Sequence, residues 1–178
     1  NINLNTLYID SNKLTSIDIS KNINLTTFSC RYNNLNSLDL TKNSALTNLD
    51  CAENQLSDLD VSKNTALLYL SLYNNQLSSL DISANNMLKN LSCGNNPISS
   101  LDLSTKLALE YLNFESTQIT SIDVSKNILL TSLEFRNNKI AVLDISTNTK
   151  LVRLDATSNL LTNIDLNKNL SLDGILLN

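Results

Sequence analysis

Residues 46–66 read LTNLDCAENQLSDLDVSKNTA, and the same 21-residue phrase recurs along the chain. Leucine opens it at positions 4, 25, 46, 67, 88, 109, 130, 151 and 172, with no insertion between copies. Counted from that leucine, apolar residues return at the first, fourth, sixth, eleventh, fourteenth and sixteenth places. Asn stands at the ninth place in seven of eight repeats, and Asp at the fifteenth in all eight. A fixed period of this length marks a solenoid. Six apolar side chains cannot be hidden from water inside 21 residues, but stacked coils hide them against their neighbours in one long core.

Within each coil the alternation L-x-(C/F/I/L/A) predicts a strand, and L-D-(I/L/V) predicts either a shorter second strand or a tight turn. No repeat has an apolar face of helical period. The expected fold is mainly β, with a parallel sheet on one side, short strands or turns on the back and little or no α-helix. It forms one domain over 1–178, with eight full repeats and part of a ninth from residue 172. At a strand spacing of about 4.8 Å, eight coils make a rod or arc of roughly 40 Å.

Composition narrows the function. Of 178 residues, 42% are apolar, enough for a core, and only 17% are charged, with Asn, Ser and Thr filling the gap. The net charge of −4 argues against nucleic acid or an anionic membrane as partner. The absence of His removes His-based triads, His general bases and His-ligated metals. Two Gly and one Pro are too few for a phosphate-cradling loop. No apolar run approaches the roughly 20 residues of a membrane-spanning helix, so no membrane insertion is expected. A chain opening on Asn1 is expected to be a processed form or an excised portion.

The recurring polar residues read as scaffold. An Asn leaving the strand can bond backbone groups of its own coil and the next. Eight Asp stacked at strand spacing should repel, so each is expected to accept hydrogen bonds from the following D-x-S-x-N turn, with Lys21, Lys42, Lys63, Lys126 and Lys168 offsetting the charge. A calcium ladder is the alternative. Each coil offers only one such acid, flanked by apolar residues, and the turns lack glycine.

The pattern L-x-x-L-x-C-x-x-N-x-L resembles the leucine-rich repeat, and the 21-residue length with L-D-L-S-x-N as second half is similar to short bacterial repeats of surface proteins. The repeats resemble those of cysteine-bearing internalins and of secreted Bacteroidetes proteins, over residues 4–178. The resemblance implies a right-handed solenoid with its sheet on a concave face, a secreted or cell-surface location, and protein binding or adhesion without cofactor. Flanking caps and a sorting tail, usual in internalins, are not seen in the sequence. Lys106 and Thr117 interrupt the Asn columns, predicting local irregularity in the fifth and sixth coils. Cys30, Cys51 and Cys93 all occupy the sixth, inward place, which in the family is a stack of buried thiols. Cys there is a small hydrophobe. Free thiols and a Cys30–Cys51 disulfide both stand as readings, the second with poor torsion between parallel in-register side chains. Zinc lacks a fourth ligand.

On such a scaffold the second, third, fifth, seventh and eighth places flank the strand. All five Tyr, all three Arg and all four Glu fall there, while Phe28, Phe114 and Phe135 fall in core places. Two areas are expected to bind a partner: Arg31, Tyr32, Asp50, Glu53, Tyr69 and Tyr73 over the second to fourth coils, and Glu115, Glu134, Arg136, Arg153 and Asp155 over the sixth to eighth, with Tyr111 between. Tyr and Arg suit recognition hot spots, although Tyr also has high strand propensity. The expected partner is a protein, such as a host or cell-surface ligand. A glycan stacked on Tyr is the first rival, with the lack of Trp against it. A spacer or weak edge-mediated oligomer through Ile175, Leu176 and Leu177, in place of a monomer, is the second. Asp50 with Glu53 could serve as a glycosidase pair, but on an open wet face with nothing to raise one pKa. The sequons at Asn24, Asn90 and Asn169 matter only in a eukaryotic secretory route.

Overall fold

The structure, a computed structural model, describes residues 1–177. Each coil contributes one three-residue strand, at the third to fifth places. They are β1 (Thr6–Tyr8), β2 (Thr27–Ser29), β3 (Asn48–Asp50), β4 (Tyr69–Ser71), β5 (Asn90–Ser92), β6 (Tyr111–Asn113), β7 (Ser132–Glu134), β8 (Arg153–Asp155) and β9 (Gly174–Leu176). They form one nine-stranded sheet in chain order. All pairs are parallel and register residue by residue 21 apart, as in Leu49↔Leu70. Among the described residues there is no helix, and the back of each coil is turns and not a second strand.

Period two puts the fourth place of each coil inward and the third and fifth outward. Leu49, Leu70, Leu91, Leu112 and Leu133 are fully buried, as are the leading leucines from Leu25 to Leu151. The fourteenth place is the shallowest of the six: Leu59 and Leu143 are buried, whereas Ile17, Leu38, Leu80, Leu101 and Ile122 are partly exposed. Phe114 and Phe135 stack in the core with ring centroids 5.5 Å apart.

Two Asn columns tie the coils together. Asn54 Nδ2 donates to the carbonyls of Cys30 (2.9 Å) and Cys51 (3.1 Å), and its Oδ1 accepts from the amide of Leu35 (3.0 Å). The second column, at the nineteenth place, only donates: Asn43 Nδ2 reaches the carbonyls of Ile19 and Asn22, while its buried Oδ1 accepts from none of the described residues. Removing one such buried donor strands several backbone carbonyls, at about 1–3 kcal/mol each.

The two interruptions differ. Lys106 is fully buried, and its Nζ reaches past the column to Asn86 Oδ1 (2.8 Å) and Thr105 Oγ1 (2.5 Å). The Lys106 main chain still accepts from Asn127 Nδ2 at 2.8 Å, so the turn is kept. Its Nζ does not bond the Ile82 and Asn85 carbonyls as the column's Asn would, and the side-chain link to the fourth coil is the irregularity here. The sixth coil is irregular. Thr117 Oγ1 donates to Asn138 Oδ1 (2.7 Å) while accepting from the amide of Ile119 (3.4 Å), inserting itself as a relay, and the turn falls on Glu115–Ser116.

Candidate binding face

Only the third and fifth places stand on the sheet. The seventh and eighth lie beyond it, on a rim where the eighth residue has positive φ in every full coil. Asn, which tolerates the left-handed region better than most, fills that place at Asn74, Asn95 and Asn137, and the small Ser at Ser11, Ser116 and Ser158. Tyr32 (φ 52°) and Glu53 (φ 57°) are the exceptions, on adjacent coils. Holding a bulky side chain there costs about 1–3 kcal/mol.

At the N-terminal end, Asp10 Oδ1 accepts from Ser29 Oγ (2.6 Å) and the amide of Arg31 (2.8 Å). Arg31 Nε lies 3.5 Å from Asp50 Oδ2, and its guanidinium sits 5.5 Å from the centroid of the Tyr32 ring. Asp50 Oδ1 accepts from the amide of Ala52 (3.1 Å). Burial pushes the Asp50 carboxyl above its ordinary value, against the hydrogen bond from Ala52 and the charge of Arg31. This corrects the expectation that nothing raises an acid here. Glu53, the other acid of that expectation, is on the rim, engaged by Asn74 Nδ2.

Mid-sheet, the rim carries a network that joins the two expected areas. The Tyr73 hydroxyl donates to Glu115 Oε1 at 2.8 Å, two coils away, and accepts from Asn95 Nδ2 at 2.9 Å. Glu115 takes both Nε (2.5 Å) and Nη2 (3.0 Å) of Arg136. Partial burial, then the Glu115 carboxylate, raises the Tyr73 phenol; Glu115 likewise raises the Arg136 guanidinium. Glu115 itself is buried. Its path runs over Gly94, where a Cβ would come within 2.9 Å of Glu115 Cγ and 2.8 Å of Asn113 Oδ1. Tyr73, placed by sequence with Arg31 and Tyr32, thus belongs energetically with Glu115 and Arg136.

A third group centres on Glu134, which accepts from the Tyr111 hydroxyl (3.2 Å), Asn113 Nδ2 (3.2 Å) and Ser132 Oγ (3.1 Å). Burial and then the charge of Glu134 push the Tyr111 phenol up to about 12. Arg153 is exposed on β8, and Asp155 Oδ1 accepts from the amide of Thr157 (3.1 Å). Tyr69 rises from β4 between two hollows, one shared with Tyr8 and one with Tyr111. Sequence reasoning did not single out Gly94, Asn95 or Asn113. Gly94 is the only Gly in the eight full repeats, and that singularity was the available signal.

The back is uniform. Each Asp of the fifteenth place accepts from the amide two residues on, from Asp18–Ser20 (2.9 Å) to Asp165–Asn167 (2.8 Å). For Asp18, Asp39 and Asp60, side-chain and then backbone hydrogen bonds from the turn hold the carboxyl below its ordinary value, and the nearby Lys21, Lys42 and Lys63 add to the shift. Among the described residues no three Cys, Asp or Glu converge as a metal site requires. Cys30, Cys51 and Cys93 are buried and free, and burial lifts the Cys93 thiol to about 12.

A parallel sheet built from 21-residue leucine-phased coils with Asn columns is the leucine-rich-repeat fold. Its solved neighbours are internalins and other leucine-rich-repeat proteins. The functional domain of the internalin InlJ from Listeria monocytogenes, which includes a cysteine ladder, is 37% identical with a TM-score of 0.96, over 97% of this chain and 39% of that one. A leucine-rich-repeat protein of Leptospira interrogans is 25% identical (TM-score 0.91), over 98% of this chain and 49% of that one. Internalin C2 from L. monocytogenes shares the fold at 19% identity (TM-score 0.89), over 98% of this chain and 80% of that one. This chain therefore spans less than half of the first two. No protein-family model and no curated protein matches the sequence.

Proposed function

We propose that residues 1–178 act as one non-catalytic protein-binding or adhesion module of a secreted or cell-surface bacterial protein, using the sheet face and its rim. The observation that carries this is the contrast in order. The back repeats one hydrogen-bonding arrangement, while Tyr73, Glu115 and Arg136 are locked into a single geometry across four coils of the other side. Side chains held in place before contact lose little freedom on binding. Arg31, Tyr32, Asp50, Glu53 and Tyr69 supply the N-terminal part of the contact surface, and Tyr111, Glu134, Arg153 and Asp155 extend it toward the C-terminal coils.

Photo-cross-linking tests this. A benzophenone side chain at Tyr69 on the face should capture protein partners from intact cell surfaces, and one at Asp102 on the back should not. Replacing Tyr32, Tyr69 and Tyr73 with Ser should abolish binding of the captured partner, with Tm moving only a few degrees. Equal capture from both sides, or unchanged binding, overturns the reading. A glycan ligand is favoured by one observation, the hollow of about 290 Å³ between Tyr69 and Tyr111 with Ser71, Asn90 and Ser92 at its floor. Glycan-array hits lost on Tyr69→Ala would establish that reading instead.

A further inference from the structure

Coils two and three carry small side chains at their outward strand places, Thr27, Ser29 and Asn48, so the face sinks between Tyr8 of β1 and Tyr69 of β4. The hollow holds about 220 Å³, or some seven waters at roughly 30 Å³ each. That is space for one side chain and not for a folded element. Two phenol rings bound it, and Asp50 supplies a carboxylate in its wall. Asp50 is already served by Arg31 Nε at 3.5 Å, but a second carboxylate, Asp10, also bonds the Arg31 amide and Ser29 Oγ. Only Asp50 pairs with the guanidinium; Asp10, close enough for its charge to act on Asp50, bonds the Arg31 backbone amide, and the guanidinium is partly turned over Tyr32, so two carboxylates stand beside one cation.

We propose that this hollow receives a basic side chain, arginine or lysine, presented by the partner protein, with the cation against Asp50 in the space that Tyr8 and Tyr69 border. The assignment rests on the protein-binding reading above and deepens it by naming what the partner brings. A cation over an aromatic face is attracted by the ring quadrupole, most strongly where water is displaced. The local excess of one negative charge repels an anionic group. A neutral group would fill the space but leave Asp50 under-compensated, as its carboxyl, raised by burial despite Arg31, shows. Tyr8 and Asn48 are exposed and Thr27 is half-buried, so the hollow opens to solvent and needs no rearrangement to fill.

The test is an amide NMR titration of the intact chain with capped arginine amide and capped lysine amide against capped citrulline amide, the neutral isostere of arginine. Arginine or lysine should shift the amides of Thr27, Ser29, Asn48 and Asp50 and bind on the order of tenfold more tightly than citrulline. Asp50→Asn should reduce the cation's affinity to the citrulline level, and Tyr69→Ser should weaken it, both with an unchanged amide spectrum elsewhere to show that the fold persists. Equal affinity for citrulline, shifts confined to other coils, no binding, or full affinity in Asp50→Asn would each overturn the proposal. Because the probes are single amino acids, their failure alongside successful cross-linking at Tyr69 would remove the basic-side-chain assignment alone.

Discussion

The back and the face of this solenoid use the same carboxylate chemistry to opposite ends. On the back, eight Asp residues do one job eight times: each accepts the amide two residues ahead and closes a turn. On the face, Asp50 and Asp155 still accept the amide two residues ahead, but the other acids each have partners of their own. Asp10 holds Ser29 and the Arg31 amide, Glu115 bridges Tyr73 and Arg136, and Glu134 gathers three neutral donors. The difference teaches where the repeat constrains the residue and where it leaves it free. A turn that must close every 21 residues fixes its cap, whereas an outward strand place demands only that the side chain not block the next coil.

The sharpest way to break that contrast is to treat a face residue as though it were interchangeable. Gly94→Ala puts a methyl group within 2.9 Å of a backbone atom, Glu115 O, as well as against Glu115 Cγ and Asn113 Oδ1. We expect a loss of about 2 kcal/mol, seen as a fall in Tm of roughly 4–8 °C for a chain of this size. Gly174→Ala is the control. Its Cβ would meet nothing closer than 3.7 Å, so its Tm should stay within a degree or two. Equal effects at the two sites would show that Gly94 is not there to let Glu115 pass.

Those two glycines also show how far the sequence could be read. Period alone gives the strand positions, the inward leucines and both Asn columns, because burial and backbone hydrogen bonding repeat with the chain. The residues expected on the binding side do lie on the face and rim. Their pairing was not legible, since Tyr73 and Glu115 are 42 residues apart and meet only because an intervening coil lacks a side chain. The positive φ of the eighth place was hidden for a related reason. Asn and Ser there look like ordinary polar filler until the backbone shows what they tolerate. The distinction between Lys106 and Thr117 was equally out of reach, as both merely break an Asn column in the text of the sequence.

Tyr32 offers a smaller effect of the opposite sign. At φ 52° it occupies a conformation that Asn or Ser fills in most other coils. Tyr32→Asn should therefore stabilise the fold by about 1 kcal/mol, raising Tm by roughly 2–4 °C, while it weakens partner binding. The ring's contact with the Arg31 guanidinium, 5.5 Å away, works against the gain, but at an exposed site it is worth only about 0.5–1 kcal/mol. A fall in Tm would mean that Tyr32 serves the fold, and the rim at this coil would then belong with the back and not with the face.

The smallest effect separates the two kinds of acid by their titration. The carboxyls of Asp18, Asp39, Asp60, Asp81, Asp102, Asp123 and Asp144 are all lowered by hydrogen bonds from their turns. A depressed folded-state pKa gives stability that is present above the unfolded value, about 3.9 for Asp, and is lost as pH falls through the folded one. Asp50 has the opposite sign: its raised pKa means that the folded chain takes up its proton first, so its contribution improves as pH falls and diminishes as pH rises. Carboxyl carbon NMR should find Asp50 titrating above the ordinary range and the back Asp residues below it. The Tm of Asp50→Asn should fall more steeply than the parent's on acidification, because the one opposing term has gone. A single shared midpoint for both sets would mean that the face buries its acids no more than the back does, and the physical contrast between them would reduce to sequence variety alone.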